Sequence, residues 1–206
     1  FYEDHLMFTR RTTLAAIVAT PLLGKASYAQ DAIEVKEMVL GNPDAVVTVT
    51  EYASYTCTHC ASFHANTYPQ LKENYIDTNK IKFIYREVYF DRFGLWASMI
   101  ARCDNTKFFG ITDMLYERQS EWSRAGDAPE VIAKMRKIGL IAGLSNEQMD
   151  TCLNNQPMAE ALVARFQETT ATDDVSSTPT LFVNGTKYTN MPYTQLSDLI
   201  EQELGS

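Results

Sequence analysis

Positive charge is scarce in this sequence. Its 18 Lys and Arg face 26 Asp and Glu, for a net charge of −8. An acidic surface repels phosphate backbones and anionic headgroups, which argues against nucleic acid and anionic membrane as partners. Long apolar runs are also lacking. The longest candidate, residues 14–23, is too short to span a bilayer. Neither an internal repeat nor a low-complexity tract is present. Histidine occurs three times and cysteine four times, and two of the cysteines form a close pair. Structural zinc asks for four ligands, usually from two close pairs, so the second pair is missing even if His64 is counted with Cys57 and Cys60. Covalent c-type haem needs His directly after the second Cys, and Ala61 stands there instead. No metal and no cofactor is expected; what remains is chemistry that a thiol pair carries by itself.

The short apolar run has another use. Arg10 and Arg11 precede it and Ser27-Tyr28-Ala29 follows, the pattern of a basic n-region, an h-region and a small-x-small cleavage site. Residues 1–29 therefore read as a signal peptide, with Met7 as its natural start. A membrane anchor or a core helix is the alternative. Thr9-Arg10-Arg11 matches a twin-arginine signal weakly, so the Sec route is expected and the twin-arginine route is second to it. Cleavage after Ala29 removes three basic and two acidic residues and leaves 177 residues at −9, enough for one sizeable core with an insertion. Export places the cysteines where disulfides persist. Cys103 and Cys152 lie outside the close pair and read as a structural disulfide, with two buried unlinked thiols as the alternative.

Patterning gives the order of elements. A loosely alternating strand over residues 33–40 ends at Gly41-Asn42-Pro43, and a β-branched run over 46–50 reads as a central strand. Helical spacing over 61–75 (Phe63, His64, Thr67, Leu71, Tyr75) carries Pro69, which should kink that helix. Residues 80–88 alternate as a strand. Helices then follow over 95–101, over 107–121, from Pro129 to Gly139, from an N-cap at Ser145, and from Pro157 to about residue 170. A strand over 180–183, a hairpin turn at Asn184-Gly185, a strand over 186–188 and an amphipathic helix over 194–204 complete the chain. The order is β-β-α-β, a helical block, then β-β-α.

Cys57-Thr58-His59-Cys60 sits where the central strand runs into the first helix. Free N–H groups and the positive dipole end at a helix N-terminus stabilise a thiolate. Cys57 takes that position as the nucleophile, and Cys60, one turn on, faces inward and resolves. His59 lies between them and is read as an electrostatic tuner of Cys57. Glu51, on the central strand, is read as a proton relay for Cys60, with a satisfied strand-end carboxylate as the alternative. His64 is read as a packed helix residue. A purely structural disulfide is the plainest rival for the pair. Tyr52, Tyr55, Phe90, Phe93 and Trp96 read either as an apolar peptide groove or as core.

A CxxC at a strand-to-helix junction within this order resembles the thioredoxin fold. With an export signal and a helical block after the third strand, the chain resembles the DsbA family of thiol oxidases. The resemblance rests on Glu51, on Cys57-Thr58-His59-Cys60, on Tyr85-Arg86-Glu87 and on Thr178-Pro179 before the fourth strand, and it covers residues 33–204. It implies an α/β protein, a thioredoxin fold with an inserted α-helical domain. Residues 30–90 and 171–206 would form the thioredoxin-like part and residues 91–170 the insert. Pro179 would be cis, leaving backbone beside Cys57 open to pair with a substrate strand, so Thr178 and Pro179 are the expected substrate-binding residues. The resemblance further implies a monomeric periplasmic oxidase that acts on reduced or unfolded secreted polypeptides and is restored by a membrane quinone-linked reoxidase of the DsbB type. Isomerases resembling DsbC carry a dimerisation domain ahead of the catalytic one, for which no room is expected here. An isomerase or reductase, and a peptide-binding chaperone or adaptor with a structural disulfide, are the alternatives. Thr58 replaces the proline of the best-known oxidases, and Thr178 is a choice also found in isomerases of the superfamily; both positions tune redox poise.

Overall fold

The computed structural model describes residues 33–205, which fall in one compact unit. The signal peptide expected over residues 1–29 lies outside the described residues.

Strands β1 (Met38–Gly41), β2 (Val47–Ala53), β3 (Ile81–Glu87), β4 (Thr180–Val183) and β5 (Thr186–Thr189) form one sheet in the order β1-β3-β2-β4-β5. The β-branched run makes β2 the central strand, and every residue of it except Thr48 is buried. It pairs parallel with β3 and antiparallel with β4. A parallel pair needs a crossover. Helices α1 (Thr58–Asn66) and α2 (Tyr68–Leu71), continued by a π-helical turn (Lys72–Ile76), supply it.

That crossover differs from the single kinked helix expected over 61–75. Pro69 has no N–H to return to the preceding turn. The chain breaks at Thr67 and restarts with Pro69 in the first turn of α2, where a missing N–H costs little. The first strand is also shorter than its alternation suggests, 38–41 against 33–40. It stops at Gly41, whose φ is +76° and where a Cβ would sit 2.3 Å from the Ile81 carbonyl oxygen.

Six helices lie between β3 and β4: α3 (Arg92–Ala101), α4 (Phe108–Glu117), α5 (Gln119–Trp122), α6 (Ala128–Ile141), α7 (Asn146–Leu153) and α8 (Gln156–Thr172). Side-chain caps set their starts. The Asp91 carboxylate accepts from the N–H groups of Phe93 and Gly94, so α3 begins before residue 95. Ser145 and Gln148 close a reciprocal capping box on α7. The helix expected over 107–121 is two, because Arg118 leaves helical geometry (φ −102°, ψ 17°). The break turns Gln119 and Trp122 into the interior. Arg102, at the end of α3, grips Glu87 at the end of β3 with two hydrogen bonds of 2.6 and 2.8 Å, joining block to sheet. Cys103 and Cys152 are bonded, with their Cα atoms 5.6 Å apart, and tie the end of α3 to α7. Helix α9 (Tyr193–Leu204) packs Leu196 and Ile200 into the core that the sheet shares with the helical block.

Candidate active site

Four elements meet at Cys57. It follows β2 and caps the N-terminus of α1. Its Sγ lies 3.5 Å from the carbonyl oxygen of Thr178, in the loop before β4. Gln119 of α5 donates from Nε2 to the carbonyls of both Tyr55 and Cys57, each at 2.8 Å. The antiparallel pairing of β2 with β4 sets Tyr52 opposite Thr180 and so brings Thr178 to the motif. The Thr178–Pro179 peptide is cis.

The two thiols are both free and sit in opposite environments. Cys57 is half-buried, and its pKa is lowered to about 5. The neighbouring Cys60 thiol is the largest cause, against an opposing effect of partial burial, with help from Thr178 and the backbone N–H groups of Cys60 and His59. Cys60 is 0% exposed. Burial above all, then the adjacent Cys57 and the Glu51 carboxylate, push its thiol up. The pair therefore holds an accessible thiolate next to a protonated, water-excluded thiol.

Thr58 and His59 are exposed. The His59 group that acts on the thiolate is its backbone N–H. Glu51 is 0% exposed on β2, and its Oε2 meets His64 Nε2 at 3.0 Å. Glu51 Oε1 has no partner among the described residues. His64 is packed as expected, stacked on Tyr116 with ring centroids 4.0 Å apart and tilted against Tyr68 at 4.6 Å. Its bond to Glu51 was not read from the sequence. The available signal was joint placement: His64 is on the inward face of α1, one turn beyond Cys60, and Glu51 is on the strand that feeds that helix. Gln119 was also missed, since nothing local marks a glutamine for a loop 62 residues away.

The aromatic residues divide. Tyr52 and Tyr55 are core, with the Tyr52 hydroxyl bonded to Asp173 and Arg86, and that of Tyr55 bonded to Thr112. Phe90 is 59% exposed, while Phe93 and Trp96 pack partly buried beneath the Arg92 guanidinium. A cavity of about 650 Å³ opens between α1 and α2 on one side and α4 and α5 on the other, with Thr58, His64, Tyr68, Asp113 and Tyr116 in its wall. Among the described residues no group of three or more His, Cys, Asp or Glu is placed to hold a metal ion, and no helix is long and apolar enough to cross a membrane.

Residues 34–202 match the family described as Thioredoxin. A Rickettsia bellii protein, provisionally named a protein-disulfide oxidoreductase, is 35% identical over 84% of this chain and 66% of its own length. The chain thus spans just under two thirds of that relative. Disulfide bond formation protein D of Bacillus subtilis is 26% identical over 81% of this chain and 76% of its own. The crystal structure of Wolbachia pipientis alpha-DsbA1 shares the fold, with a TM-score of 0.76 at 24% identity, over 82% of this chain and 92% of that one.

Proposed function

The chain belongs to the thioredoxin family, and on that premise we propose that it is a DsbA-type thiol:disulfide oxidoreductase that introduces disulfides into reduced secreted polypeptides in the periplasm. The observation that carries this reading is the opposed state of the two thiols, Cys57 lowered and Cys60 raised. A low thiolate pKa stabilises the dithiol form over the disulfide, which makes the disulfide an oxidant.

In the forward reaction a substrate thiolate attacks Cys57 Sγ. The Cys57–Cys60 bond breaks, its electron pair goes to Cys60, and that sulfur takes up a proton. A second substrate thiolate then attacks the substrate sulfur of the mixed disulfide and releases the Cys57 thiolate. Two electrons move from substrate to enzyme, and no cofactor is needed to hold them. Glu51 is the proton partner of Cys60, His59 supports the thiolate, and Thr178-Pro179 offers backbone to a substrate strand. A membrane quinone-linked reoxidase of the DsbB type would restore the disulfide. The protein would act as a monomer after export by the leader over residues 1–29.

Thr58 in the motif and Thr178 against Cys57 favour, as a second reading, a reductase or isomerase of the same superfamily. Oxidation of a peptide bearing two thiols tests the proposal. The oxidised protein should form the peptide disulfide stoichiometrically, and Cys57→Ala should form none. A Cys57→Ala protein with unchanged activity would mark a binding adaptor instead.

A further inference from the structure

Cys60 and Glu51 are both 0% exposed, yet every turn of the exchange puts a proton on Cys60 or removes one. A route to water is therefore required. Glu51 reaches the His64 Nε2 through Oε2, and its Oε1 is unpartnered among the described residues. His64 Nδ1, on the other side of the ring, is buried and likewise has no partner among the described residues, and the residue forms part of the wall of the 650 Å³ cavity.

The groups that face His64 leave it this task. Glu51 faces it from β2, Cys60 from its own helix, Tyr68 from α2, Tyr85 from β3, and Tyr116 and Asp113 from α4. Burial pushes Tyr68, Tyr85 and Tyr116 up, so these phenols stay neutral and wall the ring in. Asp113 differs: it lines the cavity and its carboxyl is raised by partial burial, with His64 and Lys72 acting in the opposite direction. His64 is the group that both bonds Glu51 and borders the cavity.

We propose that His64 is the proton outlet of the exchange reaction, moving protons in either direction between Glu51 and the cavity, with Asp113 as the outer relay. The inference rests on the reading of Cys57–Cys60 as an exchange pair served by Glu51. When the disulfide opens, Cys60 leaves as thiolate and takes a proton from Glu51. His64 refills Glu51 from Nε2 and is itself refilled at Nδ1 from the cavity. When the Cys57–Cys60 disulfide is re-formed, the same proton runs outward. His64 acts through Glu51 and does not touch the reacting sulfurs.

Reduction of the oxidised protein by dithiothreitol between pH 5 and 8, followed by alkylation of the released thiols, tests this. The first dithiothreitol thiolate forms the mixed disulfide at Cys57, and the second closes the reductant's ring and frees the Cys57 thiolate. His64→Ala should slow the reaction on the order of 10-fold or more, and imidazole, which fits the space the ring leaves, should restore the rate in proportion to its protonated form, the proton donor in this direction. Asp113→Asn should slow it a few-fold at low buffer concentration and lose that defect at high buffer concentration. A wild-type rate in His64→Ala, or a loss that imidazole leaves unchanged, overturns the proposal. Should His64→Ala fail to fold, Asp113→Asn decides: buffer-reversible slowing supports the outlet, and a wild-type rate overturns it. A wild-type disulfide that dithiothreitol cannot open would instead overturn the exchange reading.

Discussion

The molecule holds two cysteine pairs, and they are built for opposite ends. Cys57 and Cys60 lie one helical turn apart at the N-terminus of α1. Cys103 and Cys152 stand 49 residues apart and tie two helices of the inserted block. The first pair is surrounded by groups that stabilise its open form: helix N–H groups and Thr178 around one sulfur, a buried carboxyl near the other. The second pair holds the end of α3 against α7. On the proposed reading, surroundings more than the bond itself separate a disulfide that turns over from one that holds.

The comparison breaks most sharply at the sulfurs. Cys57→Ala should abolish peptide oxidation, while the double variant Cys103→Ser with Cys152→Ser should keep it; loss of exchange in the double variant would erase the division of labour. The second pair should show itself in stability. It closes a loop of 50 residues, for which loop entropy gives about 4 kcal/mol, so the double variant should unfold at a distinctly lower denaturant concentration.

Much of this contrast was legible in the chain. The active pair announces itself locally, since a β-branched run, CxxC and a change to helical period fall within twenty residues. The helical block was legible through its caps and spacing, although Asp91 and the break at Arg118 were not. The Glu51–His64 bond and the Gln119 clamp were hidden, because each depends on how distant elements are registered. A buried carboxyl and a buried imidazole 13 residues apart become partners when α1 lies across β2, and periodicity does not state that.

A pH titration sharpens the comparison next. The folded Cys57 thiol titrates near 5, below the ordinary value of about 8.5. The stabilisation it gives the reduced protein should be complete above pH 8.5 and vanish as pH falls through 5. Denaturation of reduced and oxidised protein from pH 4 to 9 should show the reduced form gaining relative stability upward; a pH-independent difference would contradict the thiolate assignment. The Cys103–Cys152 bond, having no titrating thiol, should contribute equally at every pH.

Gln119→Ala should have the smallest effect. It takes the side-chain donor from the Tyr55 carbonyl and leaves the Cys57 carbonyl with the Ala61 N–H alone, at a cost of about 1–3 kcal/mol. Both redox forms should lose stability alike, measured by denaturant titration; a loss confined to one form would make Gln119 part of the redox poise.

The central claim is that Cys57–Cys60 is an oxidising pair, and its equilibrium with glutathione tests that most directly. Alkylation of the free thiols across a series of glutathione ratios should give a potential above about −180 mV. A value near the −270 mV or so of thioredoxin would contradict the account and make the protein a reductase.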